Sequence, residues 1–513
     1  MEENRIQKLF EVSMTLSKEK NIVSLIDKIL ESARELTNAD AGTLYLKEGF
    51  NLHFKVVQTE SLGISIGGKQ GEIGWPAVRL YNQDGCENIT NISAVSALRK
   101  KIITIEDCYS ESSYDFSGAK KFDELNNYRT KSMIVIPLKD FEDQVIGVLQ
   151  LINKIDEKTG EIISFNSFDK DMSVALASQA TVLILNTKLL EELETFLERF
   201  MRGIGEAVDK KSPYTGNHVK KVSVFSSMVV KAIHKDQGSY KNEVYNKDRI
   251  RLLEIAAWLH DIGKISVPDH IIDKATRLEL VSDGIHIIGE RVEILKRDCK
   301  IEFLEKKISD EVYQKKINEL ESDYKFLQEI NNGEIFITDE KLARIHKIAE
   351  NKYLLGSTKV SILRENDLLN LSIRKGTLTT AERTIVMNHA EMTYKILKDI
   401  PFPQKFVEAK HIASNHHEKL NGKGYPRGLA ENSLSLDDRI LAISDVFEAL
   451  SSGDRPYKES KTLSQVFKIL SFMVKDGDID GDIVRFIFDS KVYLEYAKQE
   501  MKPEQIDEPK LFF

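Results

Sequence analysis

The sequence predicts a multidomain protein: an α/β domain, built as an antiparallel sheet with flanking helices, followed by an all-α domain that carries a helical-hairpin insertion. Three observations carry this prediction. Residues 1–170 mix a helical apolar pattern with short strand-like runs, the pattern turns helical from Asp171, and a segment of the second half shows the 4-3 apolar steps of paired helices. With 513 residues, 41% of them hydrophobic and 30% charged, the chain has apolar material for more than one core, which excludes disorder and collagen-like structure.

Taken in order, Ile22, Leu25, Ile26, Ile29 and Leu30 mark an amphipathic helix. AGTLYL (41–46), LHFKVVQ (52–58), SMIVIPLK (132–139) and VIGVLQLINK (145–154) read as strands, the last two joined by the turn-like DFEDQ at 140–144. From 171 to 208 one helix is expected, a rod of about 57 Å. Its stripe of Leu189, Leu193, Phe196, Phe200 and Ile204 suits a connector paired with its copy in a homodimer. Further on, Ile288, Val292, Leu295 and Cys299, then Tyr313, Ile317, Leu320, Tyr324 and Leu327, repeat at 4-3 spacing before the breaker NNGE at 331–334. These predict two antiparallel or partner-seeking helices.

Lys+Arg number 73 against 81 Asp+Glu, a formal charge of −8, which argues against a general nucleic-acid binder. Cys86, Cys108 and Cys299 form no CxxC pair, so neither a disulfide framework nor a cysteine zinc site is expected. The charged N-terminus lacks a signal-peptide pattern, and the apolar run Val174 to Leu185, broken by Ser178, Gln179 and Thr181, falls short of the roughly 20 residues that span a bilayer. A cytoplasmic protein without membrane attachment is expected.

The chemistry concentrates in His218, His260, Asp261, His389, His416, His417 and Asp445. Imidazole and carboxylate without thiolate suit Fe, Mn, Ni, Co or Zn in a hydrolytic centre, and the set suffices for two divalent ions sharing one carboxylate. An Asp directly after a His suits a bridge, because adjacent helical side chains diverge. Lys264 lies three residues beyond Asp261, on the same face if the segment is helical. Arg455 and Lys458 offer planar and point-like charge for phosphates. Gly422, Gly424, Tyr425 and Pro426 read as a tight turn, and Tyr425 either stacks on a guanine or caps the core.

With SPYTGNHVKKVS (212–223), WLHDIGKISVPDHIIDK (258–274), KGTLTTAERTIVMNHAEMTYKIL (375–397), HHEKLNGKGYPRGL (416–429) and RILAISDVFEALSSGDRPYK (439–458), the second half resembles the HD-GYP family of metal phosphohydrolases. The resemblance implies that His218, His260, Asp261 and Asp445 hold one metal, that Asp261, His389, His416 and His417 hold the other, and that Lys264 contacts phosphate. It implies hydrolysis of cyclic di-GMP to pGpG or GMP, with Fe or Mn favoured, and a related cyclic dinucleotide as second choice of substrate. The rival reading is a non-catalytic cyclic di-GMP receptor or a module that binds a diguanylate cyclase. Tyr214 stands where some members carry a Glu for a third metal, so two metals are expected. Asn421 and Glu448 each replace an Asp, and 275–375 is an insertion. Removing it restores a short spacing between His260 and His389, so its ends are expected to meet.

The stretch 107–154 resembles the second half of a GAF domain, with Asn153, Lys154, Phe165 and Asp169 partly matching its NK…F…DE motif and Lys170 in place of the Glu. This implies a structural clasp, and a cyclic nucleotide, another small molecule or nothing as its ligand. The expected domains are 1–186 (GAF), 187–210 (signalling helix) and 211–513 (HD-GYP). GISIGGKQ (63–70) lacks the Ser/Thr of a P-loop and DGDIDGD (476–482) lacks the closing Glu of an EF-hand, so neither is expected to be a site.

Overall fold

The computed structural model describes residues 2–19, 21–211, 217–452 and 460–513. Contacts divide the chain into two units, Met1–Phe196 and Leu197–Phe513.

The first unit opens with helices α1 (Glu2–Leu16) and α2 (Ile22–Thr37) and continues through β1 (Ala39–Glu48), β2 (Asn51–Thr59), β3 (Ile64–Gly67), β4 (Val78–Arg79), α3 (Ile92–Arg99), β5 (Ile103–Ile105), α4 (Ser117–Asn126), β6 (Met133–Lys139), β7 (Val145–Ile155) and β8 (Ile162–Ile163) to the long α5 (Ser167–Asp209). The strands form one antiparallel sheet of order β3-β2-β1-β7-β6-β5, with β4 on β2 and β8 on β7. Side chains alternate between two cores, as the strand period requires. Leu44, Ile134, Ile136 and Leu149 pack against Leu25, Ile29, Leu176 and Ala180 of α2 and α5. Tyr45, Met133, Val135 and Val148 pack with Ala94 of α3 and Phe116 on the opposite face. Asn21 caps α2 by accepting from the Val23 and Ser24 amides, and Asn38 ends it in the left-handed region at φ 54.

The expected clasp is present: buried Lys154 pairs with fully buried Asp169, which also accepts from Arg5 Nη1 at 3.2 Å and from the Asn166 amide at 2.9 Å. Asn153 Oδ1 accepts from the Lys131 amide at 2.7 Å, and its Nδ2 donates to the Arg129 carbonyl at 2.8 Å. The GISIGGKQ stretch forms β3 and a 3-10 turn, where the Lys69 amide bonds to Asp27 rather than opening a phosphate-binding helix.

α5 is continuous over 43 residues, and an 18-residue window within it has a mean hydropathy of 1.3. By length and composition it is therefore apolar enough to cross a membrane, which the shorter run seen in sequence did not suggest. The apolar side chains Met172, Leu176, Ala177, Ala180 and Ile184 are nonetheless buried in the core of the first unit.

The second unit contains α6 (His218–Lys235), α7 (Lys247–Leu259), the short α8 (Asp269–Ile272), the inserted α9 (Ile285–Leu304), α10 (Asp310–Asn331), α11 (Asp339–Ala349), the hairpin β9 (Lys352–Leu355)–β10 (Thr358–Ser361) and α12 (Glu365–Leu371), and then α13 (Thr380–Met387), α14 (His389–Leu397), α15 (Ala409–Ser414), α16 (Leu436–Ser451), α17 (Leu463–Lys475), α18 (Gly481–Asp489) and α19 (Val492–Glu500). Its main core joins Phe225, Leu253, Ala256, Leu397, Phe406, Ile440, Phe447, Phe467 and Tyr496.

The insertion has a core of its own. Ile288, Val292, Leu295 and Cys299 of α9 meet Leu320 and Leu327 of α10, together with Ile345, Tyr353 and Leu371. Lys316–Glu302 and Lys296–Glu321 ion pairs, each 2.9 Å, fix α9 and α10 as antiparallel. The stripes thus satisfy each other, and β9, β10, α11 and α12 add to the expected hairpin. The ends meet: Thr377 Oγ1 donates to the Lys274 carbonyl at 2.9 Å.

Candidate metal centre

His218, His260, Asp261, His389, His416, His417 and Asp445 converge from six parts of the second unit. His218 is the first residue of α6, His260 caps the end of α7, and Asp261 precedes a 3-10 turn over Ile262–Ser266. His389 opens α14, His416 and His417 follow α15, and Asp445 lies within α16. Gly263 lets the 3-10 turn press against α14, since a Cβ there would lie 1.9 Å from the His389 carbonyl oxygen. The Gly263 amide donates to Thr393 Oγ1 at 3.1 Å, and that hydroxyl donates to the His260 carbonyl at 2.9 Å.

Helix ends explain how the rings are aimed. The last carbonyls of a helix have no intrahelical partner, and three histidines use them. His260 Nδ1 bonds to Ala257 O at 2.7 Å, His389 Nδ1 to Val386 O at 2.6 Å and His416 Nδ1 to Ala413 O at 2.7 Å. A carbonyl only accepts, so each Nδ1 carries the proton and each Nε2 presents its lone pair to the centre. His218 is the first residue of its helix, and its Nδ1 meets the buried carboxylate of Glu448. In the sequence Glu448 stands out only as a departure from the family pattern. Its signal was the helix N-terminal position of His218, which leaves that ring in need of a partner.

The ligand-type atoms form three overlapping groups, His218–His260–Asp445, His260–Asp261–His416 and His389–His416–His417, each with all atoms within 4.8 Å of one another. Asp261 stands between them. Its Oδ2 lies 3.3 Å from His260 Nε2 and 3.7 Å from His218 Nε2, while its Oδ1 lies 3.4 Å from His389 Nε2 and 3.9 Å from His416 Nε2. Asp445 Oδ1 lies 3.1 Å from His218 Nε2.

Burial and charge set the protonation. Burial pushes His417 down to about 4 and holds His416 well below the usual imidazole range. Against the opposing effect of burial, Asp445 and Glu448 push His218 up to about 10. Burial also opposes ionisation of Asp261, yet Lys264 and His260 hold it well below the usual carboxylate range. His260 Nε2 and Asp261 Oδ1 are buried without a hydrogen-bond partner. Such orphaned lone pairs are costly unless something electropositive meets them. The neutral imidazoles of His416 and His417, the ionised Asp261 and the unspent lone pairs of His260 Nε2 and Asp261 Oδ1 fit a divalent cation, which would take the place of the proton that His218 otherwise holds.

Lys264 Nζ contacts Asp261 Oδ2. The Tyr425 ring packs on His417 with centroids 4.7 Å apart, and Gly424 permits the close approach, since a Cβ there would lie 2.6 Å from the His417 carbonyl. Buried Glu418, which sequence reading missed, holds this loop by accepting from the Arg427 and Leu429 amides at 2.7 and 2.8 Å. Arg455, Lys458 and Tyr214 lie outside the described residues. The aspartates of 476–482 serve structure: Asp480 caps α18 and pairs with Arg439, and Asp478 pairs with Lys419.

Residues 21–184 match the family model of the GAF domain, and residues 364–483 match that of the HD domain. The second match begins near the end of the insertion and contains His389, His416, His417 and Asp445, whereas His218, His260 and Asp261 precede the insertion. Among curated proteins, the chain is 37% identical over 110 residues to 3'3'-cGAMP-specific phosphodiesterase 1 of Vibrio cholerae, covering 21% of this chain and 25% of that protein. It is 24% identical over 277 residues to 3'3'-cGAMP-specific phosphodiesterase 3 of the same organism (54% and 35%) and 32% identical over 142 residues to a cyclic di-GMP phosphodiesterase of Thermotoga maritima (28% and 34%). The matches thus span about a quarter to a third of these relatives.

Proposed function

We propose that this chain, which carries a GAF domain and an HD domain, is a metal-dependent phosphodiesterase of cyclic dinucleotides regulated through its GAF domain. The observation that carries the proposal is the convergence of five imidazoles and two carboxylates on one buried point, with Asp261 presenting a separate oxygen to each half. In this reading His218, His260 and Asp445 hold one divalent ion, His389, His416 and His417 hold the other, and Asp261 bridges. Fe or Mn is the first choice of ion and Ni, Co or Zn the alternatives, since an imidazole and carboxylate set without thiolate accepts any of them. When bound, such a pair supplies Lewis acidity toward a phosphodiester and a water of lowered pKa.

The chain's own residues do the rest. Val386, Ala257, Ala413 and Glu448 keep the imidazoles in one tautomer and orientation. Lys264, with its ammonium against Asp261, supplies positive charge beside the reacting phosphate. The Tyr425 ring, seated on His417, offers a face to a base.

Cyclic di-GMP is the preferred substrate and cyclic GMP-AMP the second. The test is to purify the protein, assay its metals and follow both compounds by chromatography. Turnover of either one to a linear dinucleotide or mononucleotide, dependent on metal, supports the proposal. Tight binding without turnover in metal-loaded protein would instead favour a receptor. The apolar side chains Leu189, Leu193, Phe196 and Phe200, 60, 61, 63 and 54% exposed, support pairing of α5 with a second copy.

A further inference from the structure

α13 is the least anchored helix around the centre. None of its eight residues is buried, yet its last turn supplies the Val386 carbonyl that receives His389 Nδ1 at 2.6 Å. Polar contacts at its other end hold it. The Glu382 amide donates to Thr379 Oγ1 at 3.2 Å while Glu382 Oε2 accepts from the Thr379 amide at 2.8 Å, a reciprocal cap. The same carboxylate receives the Lys274 ammonium at 2.8 and 3.0 Å, and Lys274 also donates to Asn370 Oδ1 at 2.7 Å. The Lys274 side chain is 0% exposed. Lys274 directly precedes the insertion, Asn370 lies within it, and Glu382 follows it.

We infer that Lys274 and Glu382 are positioning residues for the His389 half of the metal centre, and that Asn370 makes the insertion part of this device. The inference rests on the metal reading above. A buried ammonium shared between a carboxylate and an amide oxygen is held by short, directional, charge-assisted bonds. It therefore fixes where α13 starts. A helix this short moves as a unit, so a shift at Glu382 reaches the Val386 carbonyl and releases the bond that orients the His389 ring. Any displacement of α12 carries Asn370 with it and acts on the same ammonium. Among the described residues, the contacts that orient the His218 half run through Glu448 and Ala257 rather than through α13.

The experiment is a calorimetric titration of the metal-free, full-length protein with Mn²⁺, with folding followed by circular dichroism. Wild type is expected to take up two ions. Lys274→Met and Asn370→Leu are expected to weaken one ion by about tenfold or more and to leave the other unchanged, and Lys274→Arg to recover most of the loss. If wild type takes up no ion, the metal reading itself falls. If wild type takes up two ions and both folded variants bind them as wild type does, or if both ions weaken equally in Asn370→Leu, the positioning inference is overturned. Should Lys274→Met fail to fold, Asn370→Leu, which keeps the ion pair, decides alone.

Discussion

Asp261 has unusual leverage because its two oxygens serve different imidazoles: Oδ2 faces His260 and His218, and Oδ1 faces His389 and His416. Under the two-ion proposal, a ligand confined to one ion would affect one stoichiometric equivalent, and a bridge would affect both. Asp261→Asn keeps the shape and removes the charge, so it is expected to abolish turnover and to lower bound metal in both halves, read by elemental analysis of the purified variant. Glu448 is a contrasting case, since among the described residues its carboxylate pairs with His218 and with no other imidazole of the cluster. Glu448→Gln is expected to weaken one ion by about 10–100-fold and to spare the other, so that metal titration becomes biphasic; unchanged uptake would show that His218 needs no orienting carboxylate. The seven central side chains were legible through the sequence blocks that resemble the HD-GYP family, because they are spread from 218 to 445 and only His260–Asp261 and His416–His417 are adjacent. Glu448, Glu418 and Lys274 were not legible as partners, since Glu and Lys are abundant and their partners are distant in sequence.

At the scale of elements, legibility followed length. β1, β2, β6 and β7 each run at least seven residues and carry β-branched or aromatic residues on two buried faces, so their pattern stood out. β4 and β8, two residues each, and β5, three, are too short to show a period. The 4-3 stripes of α9 and α10 revealed a helix pair, but nothing in KYLLGSTKVS announced that a hairpin would close the same core. The Lys154–Asp169 clasp was visible as a motif, and the structure gives it an energetic meaning: Lys154 and Asp169 have side chains 7 and 0% exposed. Removing one partner of a buried pair costs about 3–5 kcal/mol. Because Arg5 still reaches Asp169, Lys154→Met is expected to destabilise the first unit by about 3 kcal/mol, at the low end of that range. Thermal unfolding followed by circular dichroism checks it, and a loss below about 1 kcal/mol would equate the clasp with a surface pair.

For the whole molecule the question is how a long insertion can interrupt a metal centre without dispersing it. Two features answer it. The insertion's apolar residues form a core distinct from that of the surrounding helices, and its ends are joined by the Thr377–Lys274 hydrogen bond of 2.9 Å. Removing 275–375 therefore takes no side chain from the surrounding core, and closing the gap with a short Gly/Ser connector costs little chain entropy because the ends already meet. The deletion variant is expected to fold and to retain metal. Its ion in the His389 half should bind more weakly, because Asn370 is gone while Lys274 and Glu382 remain. Its oligomeric state by light scattering should match wild type, since the stripes of α9 and α10 are spent on each other and the exposed stripe of α5 is untouched. A variant that unfolds, or that loses both ions, would mean the insertion belongs to the core of the second unit; one that changes oligomeric state would move the proposed subunit contact from α5 to the insertion.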